Sequence, residues 1–235
     1  MARTVTLEDQ TETMQKLNDL LEIDPKSTAM VTVDMHRGHL DPVEATLPVS
    51  EAESERVRRH AKDLLGFARQ QGIPVIHVIL VWRPMEWEKA LGPRLAASRF
   101  VLSKAAQTTD AQKRGVLHNL EGSIQTELMP EIGPEEGDFI INNKKTLSIF
   151  MGTDLDNLLQ VLEIDTVVLL GINTNTCVQC AAFESTNRAM KTVIISDCVA
   201  SMYGQDLHVL GLENMARCLG WVLTVEEFKN KVLSS

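Results

Sequence analysis

Positive charge is in short supply in this chain: 23 Lys and Arg face 32 Asp and Glu, and no basic block or stripe occurs in its 235 residues. With a net charge of −9, nucleic acid and anionic membrane surfaces are poor partners for it. Long apolar runs are missing as well. The longest, near residues 166–172, have strand length and fall far short of a bilayer span. Residues 1–26 are polar and charged, so no export signal is expected and a cytoplasmic location follows. Cysteine is absent before position 177; the four present, Cys177, Cys180, Cys198 and Cys218, are then expected to stay reduced. There is no Gly-x-Gly-x-x-Gly, P-loop or Gly-x-Ser-x-Gly pattern, which argues against dinucleotides, nucleoside triphosphates and a serine hydrolase.

What is present is apolar content, 44%, enough for one large core. Continuous Val/Ile/Leu runs predict strands at 28–34, 74–82, 138–142, 166–171, 192–196 and 221–224. Helical periodicity fills the gaps. Ser50 with Glu53 forms a capping box that opens a helix to about residue 71, and further helices are expected at 153–162, 176–190, 206–218 and from 225. Such alternation implies an α/β fold of three layers, doubly wound, with a six-stranded, mostly parallel sheet and helices on both faces. No repeat or linker divides it. Residues 28–235 read as a single domain, and residues 1–27, with an amphipathic helix at 7–22, as an appendage. The irregular stretch 83–134 has the length of a functional lid or interface arm.

In such folds ligands bind beyond the carboxyl ends of the strands. Three of those ends carry chemistry: Asp34 after the first, Lys144 after the third and Cys177 after the fourth. Cys177 sits where a strand runs through Gly171-Ile172-Asn173-Thr174-Asn175-Thr176 into a helix. Unsatisfied N–H groups and the helix dipole there favour thiolate and could bind an oxyanion. A carboxylate near the thiol can take its proton and return it to a leaving amine, and an ammonium holds the carboxylate ionised. Each residue also has a plainer reading. An acid at a strand end is often a turn former, a lone lysine is often solvated, and Lys145 could replace Lys144.

Three segments carry a resemblance. Ala29-Met-Val-Thr-Val-Asp34-Met is similar to the first strand of the isochorismatase-like cysteine hydrolases. Lys144, followed by Ser148, Phe150 and Thr153-Asp-Leu155, resembles the family's lysine motif and keeps register only from Lys144. Gly171-Ile-Asn-Thr-Asn-Thr-Cys177-Val resembles its nucleophile motif, commonly written with Ala where Asn173 stands. The similarity runs from about residue 28 to 232. It implies Asp34 as general base and acid, Lys144 as electrostatic partner and Cys177 as nucleophile. It also implies a cis peptide at Ile172–Asn173, with the Asn173 and Cys177 N–H groups as oxyanion hole. Isochorismatases proper usually lack the cysteine, so Cys177 points to the amidohydrolase branch of N-carbamoylsarcosine, ureidoacrylate and biuret hydrolases. A small amide or ureido substrate, no cofactor, and a homodimer or homotetramer follow from that likeness.

Other candidates are weaker. His36, His39 and Asp41, with Asp34, could ligate a metal, but a pocket wall fits them better, and no metal is expected. Cys177-Val-Gln-Cys180 has the spacing of a redox pair, the rival enzyme reading; a non-catalytic binding member is the third. With aromatics at 4%, Trp82, Trp87, Phe150 and Tyr203 near loop ends stand out as pocket walls. Arg37, Arg83 and Gln205 are possible substrate contacts. The hydrolase reading expects a thiol hyperreactive near neutral pH at Cys177.

Overall fold

The computed structural model describes residues 6–91 and 109–234. Six strands form one sheet: β1 (Thr28–Val33), β2 (Val75–Leu80), β3 (Phe139–Lys144), β4 (Thr166–Ile172), β5 (Lys191–Ala200) and β6 (Trp221–Leu223). Their order is β3-β2-β1-β4-β5-β6, and every pairing is parallel. All residues of the two central strands, β1 and β4, are buried, because helices cover both faces. That is why their sequences show continuous apolar runs without alternation.

The helices sort into two layers. On one face lie α2 (Glu51–Gln70) and α6 (Val225–Leu233); Val57, Leu64 and Leu65 meet Phe228 and Val232 over Met30, Val168 and Ile195. On the other lie α3 (Leu155–Val161), α4 (Gln179–Asn187) and α5 (Gln205–Cys218), which set Leu155, Leu159, Ala182 and Met215 against Val31, Val33 and Leu169. Ser50 Oγ accepts from Glu53 N, as the capping pattern predicts. The first helix, α1 (Thr11–Asp19), is shorter than the 7–22 span and buries no residue. It is tied to the far edge of the sheet by Asn18 Nδ2 donating to Val222 O and Trp221 Nε1 donating to Leu17 O. Among the described residues no helix is long and apolar enough to cross a membrane.

Two local departures shape the site. Strand β5 continues to Ala200, beyond the predicted 196, because a bulge in the β4–β5 ladder lets Gly171 and Ile172 pair with Val199 and Ala200. The helix predicted from 176 begins instead as a π-turn, Thr174–Val178, and becomes α-helical at Gln179.

At Gly171, β4 lies hard against β1. The glycine φ is +132°, and a Cβ there would lie 1.9 Å from Val33 O. Gly171→Ala is therefore expected to force apart the two strands that carry Asp34 and Cys177. A loss of about 1–3 kcal/mol or more, the cost of overpacking, should appear in thermal or urea unfolding. A wild-type melting profile would contradict this strand contact.

Candidate active site

Strand order reverses between β1 and β4, since β1-β2-β3 run outward one way and β4-β5-β6 the other. Asp34 follows β1 and Cys177 follows β4, so both flank this switch point. Asp34 turns off the strand with φ +54° while its N–H stays in the ladder, donating to Val78 O at 2.9 Å. Asn, Asp and His are the non-glycine residues that best tolerate such a backbone.

Its carboxylate is satisfied on both oxygens. Leu80 N donates to Oδ1 at 2.9 Å, and Lys144 Nζ donates to Oδ2 at 2.6 Å. Lys144 ends β3, and β2 separates it from β1. Two strand spacings of about 4.8 Å each require a long side chain to bridge them. Lys144 spans the gap fully buried and lies 3.4 Å from Cys177 Sγ. The next residue cannot do this. Successive side chains on a strand face opposite sides, and Lys145 Nζ instead donates to Val81 O at 2.5 Å and pairs with Glu86 at 2.9 Å. Tertiary structure thus resolves the choice between the two lysines in favour of Lys144.

The charges are strongly coupled. Burial pushes the Asp34 carboxyl up, but Lys144 together with His36 and His39 outweighs it and holds Asp34 below the usual carboxylate range. Burial pulls Lys144 down, and Asp34 and Cys177 more than compensate, so it stays a cation. Cys177 departs from the expectation of a thiolate. The residue is 6% exposed and sits inside the π-turn. Burial, aided by the charge of Asp34, overcomes Lys144 and raises the thiol to about 12. Lys144 Nζ donates to the Cys177 sulfur at 3.4 Å, and burial sets the thiol against the depressed value that a helix end alone would favour.

The peptide Ile172–Asn173 is cis, as the resemblance implies. The Asn173 side chain, whose direction sequence leaves open, turns toward the β5–α5 connection, where its Oδ1 accepts from Met202 N at 2.9 Å. Tyr203, half-buried on the same connection, has its phenol raised by burial and by Cys177.

The remaining candidates divide. His36 and His39 are buried beside Asp34, their rings stacked with centroids 4.9 Å apart. Asp41 is drawn away by Arg37, at 2.8 Å, and by the Val43 and Glu44 amides. Among the described residues no group of three His, Cys, Asp or Glu is arranged to hold a metal ion. Trp82 is buried under Lys145, whose Nζ lies 6.0 Å from the ring. Phe150 is buried beneath the Arg188 guanidinium, 3.8 Å away, and Trp87 is buried as well. Arg83 does not reach the trio: it is 66% exposed and paired with Glu86. With Arg37 it lines a separate groove of about 600 Å³ with Val81, Leu128 and Lys145, a groove to which Asp34, Lys144 and Cys177 do not contribute. Gln205 is exposed at the start of α5. Position near a strand end, the ground for both residues, does not fix side-chain direction. Cys180 is a free thiol raised by burial and by Glu184, the reverse of the depressed thiol that disulfide exchange favours.

The sequence marks residues 83–134 as a lid or interface arm but does not single out His118 and Asn119 within it. Arg37 N donates to Glu127 O at 2.8 Å, and Trp82 N donates to Asn119 O at 2.8 Å, so this part of the long excursion laces over the ends of β1 and β2. It brings His118 and Asn119 against His36 and His39. Residues 92–108 of the same excursion lie outside the described residues. Neither residue belongs to a periodic or motif pattern, so no local signal could have revealed them.

A family model described as the isochorismatase domain matches residues 28–227. The ureidoacrylate amidohydrolase RutB of Methylobacterium radiotolerans is 28% identical over 221 residues, covering 89% of this chain and 81% of that protein. The maleamate amidohydrolase of Pseudomonas putida is 24% identical over 202 residues, covering 86% and 85%. Among solved structures, a cysteine hydrolase from Pseudomonas syringae pv. phaseolicola superposes with a TM-score of 0.76 at 23% identity, over 91% of this chain and 96% of that one.

Proposed function

The chain belongs to the isochorismatase family, and from that premise we propose that it hydrolyses a small amide- or urea-type C–N bond through a thioester on Cys177. The observation that carries the reading is a buried lysine ammonium 2.6 Å from a carboxylate and 3.4 Å from a thiol sulfur. Relatives named for hydrolysis of ureidoacrylate and maleamate support the amide class.

Cys177 Sγ attacks the substrate carbonyl carbon as its proton passes to Asp34, which turns a poor neutral nucleophile into a thiolate only within the step. Lys144 stays charged and stabilises the sulfur and the carboxylate in turn. The Asn173 and Cys177 N–H groups receive the oxyanion. Collapse breaks the C–N bond, and Asp34 protonates the departing ammonia or amine. A water molecule deprotonated by the same carboxylate then attacks the thioester, releasing the acid and restoring the thiol. His36, His39, Trp82 and Tyr203 are proposed to border the substrate.

The same proposal takes residues 28–235 as one hydrolase domain and 1–27 as its appendage, in a cytoplasmic homodimer or homotetramer. Incubating the purified protein with a panel of primary amides and ureas, and following ammonia, tests it. Release from at least one small member, with an acyl adduct on Cys177 trapped by acid quench and read by intact mass, is expected. Silence across carbamoyl, ureido and simple amide substrates would remove the reading.

A further inference from the structure

Asn119 is fully buried with φ +53°, and its side chain lies between the loops that follow β1 and β2. Its Nδ2 is 2.8 Å from Leu80 O and 2.7 Å from His36 Nε2. A carbonyl oxygen can only accept, so the atom beside Leu80 has to be the amide nitrogen, and the alternative flip of Asn119 is excluded. The second amide hydrogen is then directed to His36 Nε2, which must accept, and the proton of the neutral ring resides on Nδ1. The amide oxygen on the other side rests on Gly38, where a Cβ would lie 2.2 Å from Asn119 Oδ1 and 2.9 Å from His36 Nδ1. Glycine at 38 is what lets this amide enter.

Both groups that Asn119 holds are neighbours of one atom, the Asp34 oxygen that Lys144 does not bind. Leu80 N donates to Oδ1 at 2.9 Å, and His36 Nε2 stands 4.0 Å from it. We propose that Asn119 is a positioning residue for Asp34: it fixes His36 as the Nδ1–H tautomer, so that Oδ1 faces neither an imidazole N–H nor an imidazolium. The inference rests on the reading of Asp34 as the base. An imidazolium at that distance would compete with the thiol for the carboxylate and weaken it as a proton acceptor.

The groups facing His36 are Asp34 from the end of β1, Lys144 from β3, His39 on its own turn and His118 from the excursion, with ring centroids 4.9 and 6.0 Å from His36 for the two histidines. Burial, His39 and Lys144 disfavour the cation and Asp34 favours it; the balance brings the ring down to about 3.

Asn119→Asp tests the assignment. A carboxylate here gives up the bond to Leu80 O but accepts from Nε2–H where the amide donates, and an opposite charge this close raises an imidazole pKa by about 1–3 units. Long-range 15N–1H spectra of the wild-type protein should show His36 as Nδ1–H and unprotonated down to pH 5. In Asn119→Asp the proton should move to Nε2, with half-protonation at least one pH unit above wild type. The acid limb of kcat/KM should rise by the same amount, and the double variant His36→Gln/Asn119→Asp should lose that shift. A wild-type His36 in the Nε2–H form overturns the inference, as does an Asn119→Asp profile parallel to wild type. If the variant does not fold, the wild-type spectrum decides alone. Because the tautomer is read without substrate, its failure is separable from a failure to hydrolyse amides.

Discussion

Replacing Cys177 with Ala is expected to lower amide turnover by about four to six orders of magnitude, the scale on which removal of an enzyme's attacking atom acts. The fold should survive. Cys177 is a small, 6% exposed residue, and loss of one sulfur from such a position costs no more than about 1 kcal/mol. Ammonia release and a urea melt on the same preparation check both halves. Cys177→Ser refines the test, because a hydroxyl keeps the hydrogen-bonding shape but is a weaker nucleophile. Retained turnover in Cys177→Ala would falsify the thioester route, whatever the stability result. Cys180→Ser should leave turnover within a few-fold of wild type, since that thiol lies one helical turn further on and faces Glu184.

Lys144→Ala should damage both activity and stability, and the second effect has a distinctive pH dependence. Lys144 and Asp34 have fully buried side chains 2.6 Å apart. Removing one partner of such a pair leaves a buried charge without compensation, at about 3–5 kcal/mol near neutral pH. In the wild type, Asp34 is held below its ordinary value of 3.8. Its contribution is therefore complete above that value and fades as pH falls through the folded pKa. In the variant, burial acts on Asp34 without the ammonium, and the folded pKa moves above the unfolded one. The sign then reverses: the carboxyl's contribution is full below the unfolded pKa and is lost as pH rises through the folded one. The stability gap between Lys144→Ala and wild type should thus widen from pH 4 to pH 8 in denaturant titrations. A gap independent of pH would show that Lys144 is not what keeps Asp34 ionised. Turnover should fall by orders of magnitude, because a neutral Asp34 cannot take the thiol proton. Lys145→Ala, which loses a backbone carbonyl, the Glu86 contact and its place over the Trp82 ring, should stay near wild type in both measurements.

Much of the molecule is legible without coordinates. Unbroken apolar runs such as Thr28–Val33 and Thr166–Ile172 mark strands covered on both faces, and Ser50 with Glu53 marks the start of α2. From the alternation of these elements follows a sheet whose carboxyl edge gathers Asp34, Lys144 and Cys177. Less legible are the places where neighbours override local preference. The bulge in β5 and the π-turn at Cys177 answer to pairing with β4, and neither has a periodic signature. Arg83 looks like a site residue by position but pairs with Glu86 instead, since position near a strand end carries no information about side-chain direction.

By itself the sequence determined the architecture, the order Asp, Lys, Cys along the chain and the family motifs, because burial and backbone preferences act locally and periodically. Only the tertiary structure decided which lysine reaches Asp34, that burial pushes the Cys177 thiol up, and that Asn119, 85 residues from Asp34 in sequence, touches the two neighbours of Oδ1, Leu80 and His36. Those outcomes depend on desolvation and on hydrogen-bond partners brought together from distant segments, and such terms exist only once the chain has closed around them.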